Sequence, residues 1–120
     1  MNPRKKRRIE ESLRRELSTI ILYELKDPRA ESVTVTGVEL SNDSRSAKVR
    51  VVVHGQDEET QRALHGLSHA SGYMQALIGK RLKLRYTPIL SFAEDKELQR
   101  VMRVEKLIDQ ARQDDQRTEP

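Results

Sequence analysis

Leu64-His65-Gly66-Leu67-Ser68-His69-Ala70-Ser71-Gly72-Tyr73-Met74-Gln75-Ala76-Leu77-Ile78-Gly79-Lys80-Arg81-Leu82-Lys83-Leu84-Arg85-Tyr86 is the stretch that decides the fold. Leu64, Leu67, Met74, Leu77 and Ile78 recur at helical spacing on both sides of Gly72. Ala70-Ser71-Gly72 interrupts that apolar face. Glycine inside a helix costs about 1 kcal/mol relative to alanine, and a serine hydroxyl competes for backbone partners. A Gly/Ser pair is a known cause of a sharp bend. The stretch therefore predicts two short helices meeting at a kink made by Ala70, Ser71 and Gly72. The second would start with its positive dipole end at the bend, where a phosphate is favoured. It would end on Lys80, Arg81, Lys83 and Arg85, cations that either complement a helix C-terminus or meet nucleic acid.

Upstream, Ile9, Leu13, Leu17, Ile20, Ile21 and Leu25 step by three or four and predict a helix over 5–26. Pro28 stops it, because the residue before a proline is pushed out of the helical region. The basic run Lys5-Lys6-Arg7-Arg8 at its start reads as a solvated, fraying end or as an RNA contact. Residues 32–40 alternate as a strand whose phase flips at Gly37, which predicts a β-bulge there. Ser41-Asn42-Asp43-Ser44 is a turn cluster. A second strand follows, with Ala47, Val49, Val51 and Val53 on one face and Lys48, Arg50 and Val52 on the other, making an antiparallel hairpin. Asp57 is placed as the cap of the first half of the kinked pair. Beyond Pro88, Leu90 and Phe92 mark a third strand. Asp95 caps a last helix carrying Leu98, Val101, Met102, Val104, Leu107 and Ile108.

The order helix, strand, strand, kinked helix pair, strand, helix predicts an α+β two-layer domain over 1–109: a three-stranded sheet with helices on one face. Lys48 and Arg50 fall on the opposite face. Residues 110–120 are polar and read as a disordered tail.

The chain has 120 residues, 35% of them charged and 3% aromatic, with a formal net charge of +4. The core must be aliphatic, base stacking on aromatic rings cannot dominate, and the charge favours a polyanionic partner. No cysteine is present, which removes disulfides, thiolate catalysis and the usual zinc sites and suits a reducing cytosol. No apolar run approaches the roughly 20 residues that span a bilayer. His65 and His69 stand four apart but lack the glutamate of a His-Glu-x-x-His motif. No phosphate-binding Gly-x-x-x-x-Gly-Lys run or Ser/His/Asp set can be found. An enzyme is therefore disfavoured, no cofactor or metal site is expected, and two readings stay open: an RNA-binding factor, or a protein-docking module using the first or last helix.

Several stretches in order resemble the ribosome-binding factor A family, bacterial small-subunit assembly factors, over roughly 5–108. They are Leu25-Lys26-Asp27-Pro28-Arg29, Val33 to Ser41 with Asp43 and Ala47-Lys48-Val49, Ala70-Ser71-Gly72, Gly79 to Pro88, Phe92 and Asp95. The resemblance implies a type II KH-like fold in which an Ala-x-Gly kink replaces the Gly-x-x-Gly loop; Gly79-Lys80-Arg81-Leu82 indeed lacks the second glycine. It implies a non-catalytic, monomeric cytoplasmic protein. Such a protein binds free 30S subunits and their precursors near the 5′-terminal helix of 16S ribosomal RNA. It aids late 16S maturation and growth in the cold, and it works alongside assembly GTPases. The residues expected to contact RNA are Lys5, Lys6, Arg7, Arg8, Ser71, Gly72, Lys80, Arg81, Lys83 and Arg85.

Overall fold

The first helix, α1, spans Pro3–Thr19 in the computed structural model, which describes residues 2–117. Asn2 caps it by accepting a 2.8 Å bond from the Arg4 amide, and Pro3 suits the first helical position because its missing N–H would have had no partner there. The α geometry ends earlier than the apolar stripe suggests. Ile20–Glu24 form a widened π turn, closed by the Leu25 amide on the Ile20 carbonyl at 2.7 Å. The extra residue per turn keeps Ile20 and Ile21 in the core while Leu22 and Tyr23 face solvent. Pro28–Ala30 then make one 3-10 turn. Asp27 caps it, accepting from the Arg29 amide at 2.9 Å and pairing with the Arg29 guanidinium at 2.8 Å.

Strands β1 (Val33–Leu40) and β2 (Ser46–Val53) form the antiparallel hairpin, and β3 (Ile89–Glu94) runs parallel to β2, giving the order β1-β2-β3. The register slips between Val35 and Gly37, so the bulge falls on Thr36, beside the glycine expected to mark it. Its hydroxyl donates to the Asp95 carboxylate at 2.9 Å.

Helices α2 (Asp57–His69) and α3 (Ser71–Arg81) meet at Ala70, whose φ −90° and ψ 1° take it out of the helical region. Asp57 is not the cap of α2. Gln56 caps it through a reciprocal pair with Glu59, leaving Asp57 in the first turn, where the dipole still favours it. At the junction the Ser71 hydroxyl donates to the Ser68 carbonyl at 2.8 Å. Gly72 is exposed with open space where a Cβ would lie, and no described glycine has positive φ. The bend therefore comes from Ala70 and does not need Gly72 for room. Gly66, by contrast, has tight neighbours: a Cβ there would meet Arg29 Nε at 3.1 Å and Asp27 Oδ2 at 3.2 Å, so α2 lies directly on the 27–30 turn.

Leu13, Leu17 and Ile20 of the first helical segment, Ala63 and Leu67 of α2, and Met74 and Ile78 of α3 all pack on one face of the sheet. They meet Val49, Val51 and Val53 of β2, which alternate with exposed Lys48 and Arg50 as period two requires. Val52, on the other face, is buried where α4 (Lys96–Arg117) meets β2. There Gln99 does the work of a missing strand residue. β3 has ended, and the Gln99 amide accepts from Val53 N at 2.9 Å and donates to Val53 O at 2.8 Å. Asp95 caps α4 through the Leu98 amide at 3.2 Å, and Arg103 pairs with Asp57 at 2.7 Å.

Past Arg103 every residue through Asp114 is exposed, and α4 continues to Arg117. This corrects the disordered tail expected from Gln110. Residues 110–117 contain no glycine or proline, and their Ala, Arg and Gln are good helix formers, so polarity alone did not end the helix. Residues 118–120 of that expected tail lie outside the described ones.

Candidate nucleic-acid interface

Lys5 and Arg8 stand three apart near the start of α1 and so share a face, with Ile9 beside them. At the far end of α3, Leu82 leaves the helix in extended conformation and the Leu84 amide turns back onto the Leu82 carbonyl at 2.9 Å. That turn throws Lys83, Arg85 and Tyr86 outward, exposed, while Leu84 is half-buried against the core. The β1–β2 turn completes the site. Asp43 accepts from the Ser41 hydroxyl at 2.7 Å and the Arg45 amide at 3.1 Å, and Ser44 takes the left-handed φ of 63° that closes the loop. The Ser41 hydroxyl, then the Arg45 amide, hold the Asp43 carboxyl below the usual carboxylate range. A bond from the Ile89 amide to the Arg45 carbonyl, 2.9 Å, ties this turn to the start of β3.

These three pieces enclose a cavity of about 540 Å³. Lys5, Arg8, Lys83 and Arg85 line it, against the carboxylate of Asp43. The two basic segments, far apart in sequence, thus converge on one recess. Arg45 and Arg85 flank Tyr86, their guanidinium carbons 4.8 and 5.3 Å from its ring centroid. Arg45 was not among the residues singled out from sequence. The available signal was its place at the hairpin tip, where recognition residues concentrate.

The other expected residues lie elsewhere. Lys6 donates to Asn42 Oδ1 at 3.3 Å and lines a second hollow together with Lys48. Lys48 is therefore near the N-terminal cations, although the alternation of β2 sets it on the face away from the core. Arg50, by contrast, is tied to Glu39 at 2.6 Å. Arg7 and Lys80 are exposed and line neither hollow. Arg81 turns back to α1, donating to Glu16 at 2.9 Å and to Glu24 at 2.6 Å. The Arg81 guanidinium holds the Glu24 carboxyl below its ordinary range, and Glu24 and Glu16 in turn raise Arg81. Ser71 and Gly72 begin α3, whose 11 residues span ~16 Å, so they sit at the opposite end of that helix from the basic recess.

No group of three or more His, Cys, Asp or Glu side chains among the described residues is placed to hold a metal ion. No described helix is long and apolar enough to cross a membrane.

The family profile described as Ribosome-binding factor A matches residues 5–108. The chain belongs to the ribosome-binding factor A family. A ribosome-binding factor A from Halothermothrix orenii is 41% identical over 116 residues, covering 97% of this chain and 95% of the relative. The crystal structure of ribosome-binding factor A from Thermus thermophilus superposes with a TM-score of 0.67 at 34% identity, covering 74% of this chain and 94% of that one. A homology model of the Thermus thermophilus factor, fitted into a cryo-EM map of a 30S complex with it, gives a TM-score of 0.60 at 34% identity, over 72% and 90% of the two chains. With ribosome-binding factor A structures as its neighbours, the α+β domain with its mixed three-stranded sheet is KH-like.

Proposed function

We propose that the chain binds the small ribosomal subunit through the basic recess and assists late maturation of the 30S particle. The observation that carries this reading is the meeting of Lys5 and Arg8 with Lys83 and Arg85 around one cavity. Lysine and arginine on phosphate oxygens supply affinity for a nucleic-acid backbone whatever its sequence, and a folded frame fixes where they bind. Family membership and the fit of a relative into a 30S complex support the choice of ribosomal RNA over other polyanions.

In this reading the protein is a non-catalytic, monomeric, cytoplasmic factor. It acts on free 30S subunits and their precursors near the 5′-terminal helix of 16S ribosomal RNA. It promotes 16S processing and growth in the cold, in functional connection with assembly GTPases. Lys6, Arg7, Lys80, Ser71 and Gly72 remain secondary contacts of this proposal.

Sedimentation of the full chain with precursor 30S particles, mature 30S subunits and 70S ribosomes tests it, followed by crosslinking and mapping of the RNA. Co-sedimentation with precursor and free 30S particles, with crosslinks from the 5–8 and 83–85 segments to 16S RNA, is the expected result. Migration at the top of the gradient in every sample would refute it.

A further inference from the structure

We infer that the recess between α1, the β1–β2 turn and residues 83–88 receives one unstacked nucleotide of single-stranded RNA, its base against the aliphatic floor and its phosphates on Lys5, Arg8, Lys83 and Arg85. The inference rests on the RNA-binding reading above and specifies what the site takes.

A cationic surface is enough to hold a duplex backbone; a recess is not required for that. Here the cations surround one, and its size falls within the roughly 300–1,000 Å³ of ordinary ligand sites. Its lining is also graded. Lys5, Arg8, Lys83 and Arg85 are exposed, Ile9 and Leu84 are half-buried, and Leu40 and Pro88 are buried. Charge therefore lies outermost and apolar surface deepest. A polyanion has no use for that floor, whereas the face of an unpaired base does. In an A-form duplex the base faces are stacked away, but in single strands they are splayed out and open to apolar side chains and guanidinium planes.

The base is assigned to the aliphatic floor and not to Tyr86, since the Arg45 and Arg85 guanidinium groups already lie over that ring. Those contacts hold Arg85 at the mouth as a flat, charged group. Asp43 on the hairpin wall gives the site a direction. Its carboxylate repels phosphate, so the sugar-phosphate strand runs along the α1 and 83–85 side, and the base edge faces the hairpin.

Three probes of the full chain test this: a mixed-sequence single-stranded RNA octamer, an abasic octamer of equal charge, and a blunt RNA duplex. The readouts are affinity and the methyl resonances of Ile9, Leu40 and Leu84. The octamer should bind about tenfold more tightly than its abasic counterpart, in keeping with one buried base. It alone should shift the three methyl groups. Asn42→Phe, a change at an exposed position on the wall that fills the recess without altering charge, should reduce octamer affinity to the abasic value. Equal affinity for octamer and abasic strand with unmoved methyls would overturn the nucleotide site and leave the basic surface standing. So would an Asn42→Phe protein that keeps full octamer affinity. Failure of all three probes to bind would overturn the basic surface as well.

Discussion

Arg81 in the last turn of α3 donates to Glu16 of α1 at 2.9 Å, across 65 positions of sequence. Glu24 takes a second pair of its bonds. A cation that the sequence sets beside Lys80 and Lys83 is thus spent on holding two helices together. A guanidinium already paired bidentately has little left for a phosphate, since moving it would strand two carboxylates.

Arg81→Gln is therefore expected to lower the melting temperature while leaving the salt dependence of RNA binding as it was. Lys83→Gln should do the opposite. Thermal melts and salt titrations on the same two proteins separate these outcomes, and a shallower salt plot for Arg81→Gln would return Arg81 to the interface.

The Asp27–Arg29 turn predicts a limb of acid instability. The Arg29 guanidinium, followed by the Arg29 amide, lowers the Asp27 carboxyl from 3.8 to about 2. A carboxylate more acidic in the folded chain stabilises it fully above the unfolded value and loses that contribution as pH falls through the folded one. Stability should thus drop between about pH 4 and pH 2, and Asp27→Asn should flatten that part of the profile while costing stability at pH 7. Glu11, lowered to about 2 chiefly by Arg14, titrates in the same window, so the comparison must be made between parent and variant. Urea melts from pH 2 to 7 supply it, and parallel profiles would count against the turn.

Gln99 carries the end of the sheet. Gln99→Leu would orphan the Val53 N–H, which is otherwise without a ladder partner on that side, and leave the Val53 carbonyl only its 3.1 Å bond from the Gly55 amide. Each buried group left unsatisfied costs about 1–3 kcal/mol. Urea unfolding should register that loss, and the Val53 amide should exchange markedly faster; slow exchange in the variant would show that another group takes over.

Gly72→Ala should be neutral or stabilising, by less than about 1 kcal/mol. The position is exposed, has ordinary φ, and meets nothing where a Cβ would be built. Gly66→Ala should destabilise, because Arg29 and Asp27 must give way. A melting temperature that falls more for Gly72→Ala than for Gly66→Ala would contradict this reading of the bend.

The sequence made the layers legible because each element declares its own period. The alternation of Ala47, Val49, Val51 and Val53 set the strand face, and the phase flip around Gly37 marked the bulge within one residue. What it could not show depends on partners distant in the chain. The π turn at Ile20–Glu24 keeps the same apolar residues as an α-helix and differs only in which carbonyl the Leu25 amide meets. Asp57 and Gln56 compete for one cap, and the reciprocal bond from Glu59 decides for Gln56. In the candidate site the cations were visible as composition, but their fates were not. Arg81 finds two glutamates on the first helical segment, Lys6 finds Asn42, and only Lys5, Arg8, Lys83 and Arg85 of the ten expected contacts line the main recess. Arg45 joins them through Tyr86, a contact between the hairpin tip and a segment 41 residues downstream that no local pattern announces.

The most direct measurement is the salt dependence of binding to precursor 30S particles, comparing the parent with Lys5, Arg8, Lys83 and Arg85 all changed to glutamine. Each phosphate contact contributes about 0.7 to the log–log slope on single strands and about 0.9 on duplex. The fourfold variant should lose roughly three units of slope and bind weakly, while keeping the parent melting temperature. Arg50→Gln, on a residue held by Glu39, is the control and should leave the slope unchanged. A fourfold variant that stays folded and binds with the parent's slope would contradict the account.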